Sequence, residues 1–285
     1  MQLSENVAPQ QSLPERLLSE TRIVKAVAST PEGEFLFDIR DAAVGWSLAR
    51  GSWEMLETAF VKHIVGRDDL VIDIGANLGW YSVVAAKTAG AVIAFEPDAL
   101  NYELLLDNLT RNKLRERVVP MQIALSDLDA ELEFELSENN FGDHRVRQAS
   151  SRGPEFYGEG TRRTVRVRGR PLDSVLEELR VAASPIKLLK IDTQGSEVRI
   201  LRGARKALER TRWMIAEFWP YGLERAGCSV DEFCSIVEAN FETFARLQAP
   251  EIVLRPIAQL RDDVREPFDQ APGTPVGFSN YLFSK

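Results

Sequence analysis

The residues best placed to do chemistry begin in segment 73–79, DIGANLG, which joins an apolar run to a helical segment. Gly75 and Gly79 flank Asn77, and glycine allows positive φ and close approach of a ligand to the backbone. Glu96 ends the next apolar run, 21 residues after Gly75. An acid at that distance can accept hydrogen bonds from ribose hydroxyls, and free N–H groups at a helix start favour an anion. The pattern predicts a nucleoside site that also holds a small anionic group; the alternative is a structural turn.

Two further acids follow apolar runs. Asp192 comes directly after LLKI, and Glu217 lies in IAEFW. An acid at the end of a buried strand is hard to explain as core, so both are candidates for a cleft. The alternatives are a turn-forming or helix-capping aspartate and a buried ion pair.

The elements that must position these residues alternate along the chain. Helical spacing predicts helices at 51–65, 79–89, 99–112, 172–180, 196–209 and 229–239, and apolar runs predict strands at 70–74, 91–97, 118–125, 186–192, 213–219, 241–247 and 277–285. This alternation predicts an α/β fold with a mainly parallel sheet covered by helices on both faces. Such sheets bind ligands at the carboxyl ends of their strands. Alternating residues at 130–137 and 164–170 predict a β-hairpin insertion at about 137–170.

Bulk composition limits the classes of partner. The chain has 285 residues and a net charge of −8, which argues against general affinity for nucleic acid or an anionic membrane surface. Its two cysteines, Cys228 and Cys234, form neither a disulfide framework nor a zinc-binding pattern, which favours a cytoplasmic location. We expect no signal peptide and no membrane span.

Three motifs in this order, DIGANLG, FEP at 95–97 and KIDTQGSEVRILRGA at 190–204, resemble the FkbM family of S-adenosylmethionine-dependent methyltransferases. The resemblance runs from about residue 50 to the C-terminus and includes the closing NYLF. It implies a Rossmann-like class I methyltransferase domain over 41–285, with residues 1–40 as an N-terminal extension. It also implies a seven-stranded sheet whose last strand is antiparallel. The implied reaction is methyl transfer to a hydroxyl, often of a sugar or polyketide.

The resemblance assigns the cofactor contacts. The methionine half of S-adenosylmethionine would lie against the glycine turn, the ribose against the acid of FEP, and the adenine against the acid of SD at 126–127. The WE pair at 53–54 matches a family YE that caps the pocket. The implied cofactor-binding residues are Asp73, Gly75, Asn77, Gly79, Glu96, Asp127 and Glu54.

Methyl transfer to oxygen usually needs a group that removes the hydroxyl proton. The candidates for this base are Asp192, Glu217 and His144, the last in a polar stretch that the resemblance places near the cleft. A divalent metal held by Asp192 and Glu217 would serve instead by acidifying the hydroxyl. The family often has Glu where this chain has Gln194, which removes a charge from the region.

The insertion carries most of the local positive charge. Residues 145–170 hold eight arginines against two acids, Glu155 and Glu159. Arginine suits phosphate and carboxylate, so these residues predict an anionic acceptor such as a phosphorylated or uronic sugar. The alternative is a hairpin whose arginines pair with the acidic body, and nucleic acid fits less well.

Two other functions stay open. One is an NAD-dependent oxidoreductase on a similar sheet, although the turn lacks the middle glycine of dinucleotide binders. The other is a nucleoside-binding module without catalysis. The expected partner is a small-molecule or glycan acceptor, and the sequence leaves a homo-oligomer open.

Overall fold

The computed structural model describes residues 24–51, 53–147, 158–247, 251–266 and 277–285. Its strands are β1 (Lys25–Thr30), β2 (Gly33–Asp38), β3 (Leu70–Ile74), β4 (Ala91–Phe95), β5 (Val118–Met121), β6 (Ala124–Leu125), β7 (Ala130–Glu135), β8 (Arg145–Val146), β9 (Thr164–Arg170), β10 (Ile186–Ile191), β11 (Thr211–Phe218), β12 (Thr243–Arg246), β13 (Arg255–Pro256) and β14 (Ser279–Ser284). Its helices are α1 (Val44–Ala49), α2 (Met55–Ile64), α3 (Trp80–Ala86), α4 (Ala99–Arg111), α5 (Leu172–Glu178), α6 (Glu197–Arg202), α7 (Arg205–Arg210), α8 (Pro220–Arg225), α9 (Val230–Glu238) and α10 (Leu260–Asp263).

The main sheet has the strand order β13-β12-β14-β11-β10-β3-β4-β5. Strands β11, β10, β3, β4 and β5 pair in parallel, and β14 runs antiparallel to both β11 and β12. The predicted α/β fold and its antiparallel last strand are confirmed. The strand count differs by one, because the two-residue β13 pairs with β12 and adds an eighth strand at the edge.

The sheet is buried on both faces. All five residues of β3 are buried, which fits a central parallel strand with no solvent-facing side. One apolar cluster, which includes Phe218 and Leu201, packs on one face, and a second, which includes Val83 and Leu105, packs on the other. The order of strands brings the carboxyl ends of β3, β4, β10 and β11 to one edge.

The insertion is larger than the predicted hairpin. Strands β6, β9, β7 and β8 form a separate four-stranded sheet. The single strand predicted at 118–125 is wrong for this reason: Val118–Met121 pairs with β4, whereas Ala124 and Leu125 pair with Gly169 and Arg170 of β9. The tail of the apolar run thus joins the insertion to the main sheet.

The single helix predicted at 196–209 is also wrong, because it ends at Arg202 and resumes at Arg205. Gly203 lies against the backbone at Ser126, where an added Cβ would come within 2.2 Å of the carbonyl oxygen. Its own carbonyl accepts a hydrogen bond from the Asp173 N–H at 3.0 Å. The break at Gly203 therefore lets the backbone at Ser126 and the beginning of α5 pack closely against the segment between α6 and α7.

Residues 25–38 of the predicted extension form an antiparallel hairpin, β1–β2, that packs on the domain through the buried Phe35 and Phe37. Residues 1–23 lie outside the described part, and the domain boundary at residue 40 stays a prediction. Among the described residues, the helices are too short or too polar to cross a bilayer.

Candidate active site

The carboxyl ends of β3, β4, β10 and β11 open into one cavity of about 680 Å³. That volume lies in the range of small-molecule sites. The structure brings most of the predicted site residues to its wall: Glu54, Gly75, Asn77, Glu96, His144, Asp192 and Glu217. Three predicted residues do not line it: Asp73, Gly79 and Asp127.

The glycines of the turn are required by packing. Gly75 has φ +75°, and a Cβ there would lie 1.9 Å from the Asp192 carbonyl oxygen. Gly79 has φ +96°, and its Cβ would meet the Leu105 side chain at 2.6 Å. The turn therefore holds β3 against the end of β10, which places Asn77 and Asp192 at the same cavity. The sequence had suggested close approach of a ligand instead.

Asp73 is buried beneath the turn. Its Oδ2 accepts a hydrogen bond from the Ser82 hydroxyl at 2.7 Å. Burial raises the pKa of this carboxyl, although the neighbouring Lys190 and the bond from Ser82 oppose the shift. Asp73 thus holds the beginning of α3 through Ser82 and interacts electrostatically with Lys190.

Glu96 is a buried carboxyl at the cavity wall. Its Oε2 accepts the Asn77 N–H at 2.8 Å, and its Oε1 accepts the Asp98 N–H at 2.9 Å. Burial raises the pKa of Glu96 to about 8, even though both backbone donors lower it. Each oxygen keeps an acceptor position, so the pair of oxygens can receive two adjacent hydroxyls.

Glu54 closes another side of the cavity. Its Oε2 accepts the Tyr81 hydroxyl at 2.5 Å, and its Oε1 accepts the Asn280 amide at 3.2 Å. Burial raises the pKa of Glu54 to about 7; Lys190 lowers it and Asp192 adds to it. The sequence identified Glu54 but not Asn280, which the closing NYLF motif carries.

Asp192 and Glu217 lie together, as predicted. Gln194 Nε2 donates to Asp192 Oδ1 at 2.9 Å and to Glu217 Oε1 and Oε2 at 3.1 and 3.0 Å. Lys190 Nζ lies 3.2 Å from Asp192 Oδ2 and 4.7 Å from the centre of the Tyr81 ring. Burial lowers the pKa of Lys190, but Asp192, Asp73 and Glu54 more than offset this and raise the pKa above its ordinary value. Lys190 is therefore charged.

His144 reaches the cavity but presents the wrong nitrogen for a base. Its Nδ1 accepts the Ser137 N–H at 2.9 Å, and its ring stacks on Phe141 with centroids 5.4 Å apart. Burial lowers the pKa of this imidazole, although Asp98 and Asp143 raise it. A neutral ring whose Nδ1 accepts a bond carries its proton on Nε2, so it offers a donor. This geometry favours Asp192 and Glu217 as the base candidates.

Asp127 does not line the cavity. One of its oxygens lies 3.4 Å from Arg202 NH1, and the other accepts the Ser126 hydroxyl at 3.1 Å. Its predicted contact with adenine has no support in this geometry. The residues that line the cavity in this region are Ile123, Ala124 and Leu125, which offer an apolar surface to an adenine ring.

The described arginines of the insertion do not line the cavity. Six of the seven pair with acids: Arg145 and Arg147 with Glu135, Arg162 with Asp143, Arg166 with Glu131, Arg168 with Asp129 and Arg170 with Glu178. This favours the alternative of ion pairing within the protein over capture of an anionic acceptor. Arg152 and Glu155 lie outside the described residues.

A metal centre has no support among the described residues, which contain no group of three His, Cys, Asp or Glu side chains able to hold an ion. The position between Asp192 and Glu217 is filled by the Gln194 amide, which donates hydrogen bonds where a cation would bind. The residues present therefore fit a carboxylate base better than a bound metal.

The backbone is strained at this site. Glu54, Asn77 and Gln194 have φ values of +39°, +51° and +57°, and all three line the cavity. Such conformations cost free energy and persist where the surroundings impose them, often at functional sites. The sequence drew attention to position 194 only through the family's Glu, and it missed Lys190, whose one signal was its position beside Asp192 in KIDTQ.

Comparison with known proteins identifies the family of this chain. A family model described as "Methyltransferase FkbM domain" matches residues 73–247, more than half of the chain. The chain is 27% identical over 153 residues to the hexuronic acid methyltransferase AglP of Haloferax volcanii, a match covering 53% of this chain and 56% of that protein. It is 28% identical over 175 residues to the methyltransferase sdnD of Sordaria araneosa, covering 54% of this chain and 68% of that protein.

Among solved structures, a methyltransferase FkbM from Methylobacillus flagellatus superposes with a TM-score of 0.44 and 15% sequence identity. That match covers 77% of this chain and 44% of the other.

Proposed function

This chain belongs to the FkbM family of S-adenosylmethionine-dependent methyltransferases, and on that premise we propose that it methylates a hydroxyl group of a sugar or glycosylated natural product. The observation that carries the proposal is the carboxyl pair Asp192 and Glu217 in the same cavity as Glu96 and Asn77. Glu96 and Asn77 suit a nucleoside, and the Asp192 and Glu217 carboxyls offer a group that can accept the hydroxyl proton. Family membership decides against an NAD-dependent oxidoreductase.

The residues at the nucleoside end divide the cofactor between them. Glu96 would hold the ribose hydroxyls, and Asn77 and Glu54 would hold the methionine half. Ile123–Leu125 would pack against the adenine ring. Bound S-adenosylmethionine supplies an electrophilic methyl group on a sulfonium, whose positive charge the surrounding acids tolerate.

Asp192 acts as the base in this proposal. Its carboxylate would take the proton of the acceptor hydroxyl, and bound S-adenosylmethionine would supply the methyl group that the hydroxyl oxygen receives. Lys190, 3.2 Å from Oδ2, forms an ion pair with the Asp192 carboxylate and orients it. Alignment of acceptor and methyl group in a closed cavity contributes much of the rate.

Two observations support a sugar as the acceptor. One relative is named as a hexuronic acid methyltransferase, which is a property of that protein. In this chain, Phe278 lines the cavity with 63% of its surface exposed, next to the polar side chains of Asn280 and Glu57. An exposed ring beside hydrogen-bonding groups suits a ligand with one apolar face and several hydroxyls.

The test is methyl transfer from labelled S-adenosylmethionine to a panel of glycosides, with wild type, Asp192→Asn and Asp129→Asn. Asp129 pairs with Arg168 on the insertion surface, so its variant is a matched control. We expect Asp192→Asn to lower kcat about 100-fold or more, as for loss of a general base, with cofactor affinity retained. A wild type that binds the cofactor but methylates no glycoside, or an Asp192→Asn variant with full kcat, would contradict the proposal.

A further inference from the structure

One amide nitrogen joins the two carboxyl groups of the site. Gln194 Nε2 lies 2.9 Å from Asp192 Oδ1 and 3.0 Å from Glu217 Oε2, with Glu217 Oε1 at 3.1 Å. An amide nitrogen carries two hydrogens, so one points at each acid. The opposite orientation would turn the Gln194 carbonyl oxygen toward both carboxyls. The contacted oxygens of the two acids are therefore no more than about 6 Å apart.

The turn that carries Gln194 is held rigidly. The buried Glu197 accepts the Thr193 N–H and hydroxyl on Oε1, both at 2.9 Å, and the Gly195 N–H on Oε2 at 3.0 Å. Gly195, at φ +106°, packs so closely on Gly222 that a Cβ would come within 2.6 Å of its carbonyl oxygen. This turn keeps Gln194 at φ +57°, a conformation that glutamine rarely adopts, and so aims its side chain at the acids.

The surroundings of the two acids are unequal. Asp192 has an ammonium partner, Lys190, at 3.2 Å, and Lys190 also faces Asp73 and Glu54. Among the described residues, Glu217 has the Gln194 amide as its hydrogen-bond donor and faces the carboxyls of Asp192, Glu197 and Glu54. Burial, followed by Asp192 and Glu197, raises the pKa of Glu217 well above its ordinary value.

We propose that Gln194 is a positioning residue for this pair: its amide donates to both acids and holds Asp192 in place as the base beside a protonated Glu217. The inference rests on the proposed function, in which Asp192 takes the acceptor proton. The neutral amide donates to both acids without adding charge. A carboxyl at position 194 would instead add a third acid within hydrogen-bond distance of the other two, and protons would be shared among all three.

The experiment replaces the amide without changing the size of the side chain. Gln194→Met removes both donors, Gln194→Glu adds an acid, and Gln122→Met at an exposed position is the matched control. The first readout is the pH dependence of kcat for methylation of the best glycoside. We expect the acidic limb to move up by about one pH unit in Gln194→Met and further in Gln194→Glu, with the cofactor Kd within about twofold. Gln122→Met should keep the wild-type profile.

The second readout does not need turnover. Infrared difference spectra of the unliganded protein, recorded against pH, report protonated carboxyl groups. We expect a protonated carboxyl at neutral pH that Glu217→Gln removes, and a second one, assigned by Asp192→Asn, that appears at higher pH in Gln194→Met than in wild type. A kcat that falls equally at all pH values, or spectra unchanged by Gln194→Met, would overturn the inference. Wild type that methylates no glycoside but gives the expected spectra would defeat the proposed function alone.

Discussion

At the scale of single residues, the site contains buried acids that stay protonated to a higher pH than exposed acids do. Glu96 and Glu54 have pKa values raised by burial to about 8 and about 7. In the unfolded chain both would titrate near 4.3. Between those limits the native state holds protons that the unfolded state has released. Stability must therefore fall as pH rises through this window, because unfolding releases these protons and a higher pH favours the state that has released them.

We predict that the unliganded protein loses stability between about pH 5 and pH 8, by an amount on the order of 3 kcal/mol from Glu96 alone. Urea unfolding at several pH values measures this, and Glu96→Gln should flatten the curve above pH 5. Glu138→Gln, a change in a polar loop outside the cavity wall, is the control. A wild type whose stability is constant or rises over the same window would contradict the assignment of a raised pKa to Glu96.

Some residues of the site could be predicted and others could not, for physical reasons. Asp192 and Glu96 follow apolar strands, and a parallel sheet sends such residues to one edge. Gln194 depends on a left-handed backbone that the turn imposes, which no periodicity reveals. Asp127 follows its strand in sequence, yet β6 belongs to the second sheet, so the side chain meets Arg202.

At the scale of elements, a segment from the insertion forms part of the cavity wall, and Asp41 attaches it. Asp41 Oδ1 accepts the Phe141 N–H at 3.2 Å, and Oδ2 accepts the Gly45 N–H at 3.0 Å. The Phe141 carbonyl in turn accepts the Asn101 amide at 3.1 Å and the Asn77 amide at 3.4 Å. The beginning of α1 and the glycine turn are thus connected through Phe141.

We predict that Asp41→Ala weakens S-adenosylhomocysteine binding about tenfold, because Phe141 and Asn77 lose their fixed position. The change should also lower the free energy of unfolding by about 1–3 kcal/mol, since buried N–H groups lose their acceptor. Titration calorimetry and hydrogen exchange at the Phe141 amide measure the two effects.

Asp69→Ala is the control that distinguishes an effect on ligand affinity from an effect on stability. Asp69 also accepts a backbone N–H, from Gly66 at 2.7 Å, but it lies before β3 at the opposite edge of the sheet. We expect this variant to lose stability while keeping affinity. Equal loss of affinity in both variants would mean that Asp41 acts through general stability alone.

At the scale of the whole molecule, the β1–β2 hairpin is joined to the site through one buried side chain. Asn108 lies in the last turn of α4, where its Oδ1 accepts the Leu36 N–H at 2.6 Å. Its amide donates to the Leu36 carbonyl at 3.0 Å and to the Leu78 carbonyl at 2.8 Å. Leu78 belongs to the glycine turn and lines the cavity. A hairpin from the N-terminal side therefore helps to fix the glycine turn.

Asn112, the residue that caps the C-terminal end of α4, allows this connection to be tested. It accepts the Glu34 N–H at 3.1 Å and donates to the Glu34 carbonyl at 2.8 Å, so it holds the hairpin but not the glycine turn. We predict that Asn108→Ala lowers the free energy of unfolding by about 2–4 kcal/mol and weakens S-adenosylhomocysteine binding, because the Leu78 carbonyl is left buried without its donor. Asn112→Ala should cost less stability, since Asn112 is more exposed, and should leave affinity unchanged. Thermal unfolding with and without the ligand measures both quantities in each variant. If both variants keep wild-type affinity, the hairpin supports the domain without acting on the site, whereas loss of affinity in Asn108→Ala alone shows that the two are coupled through α4.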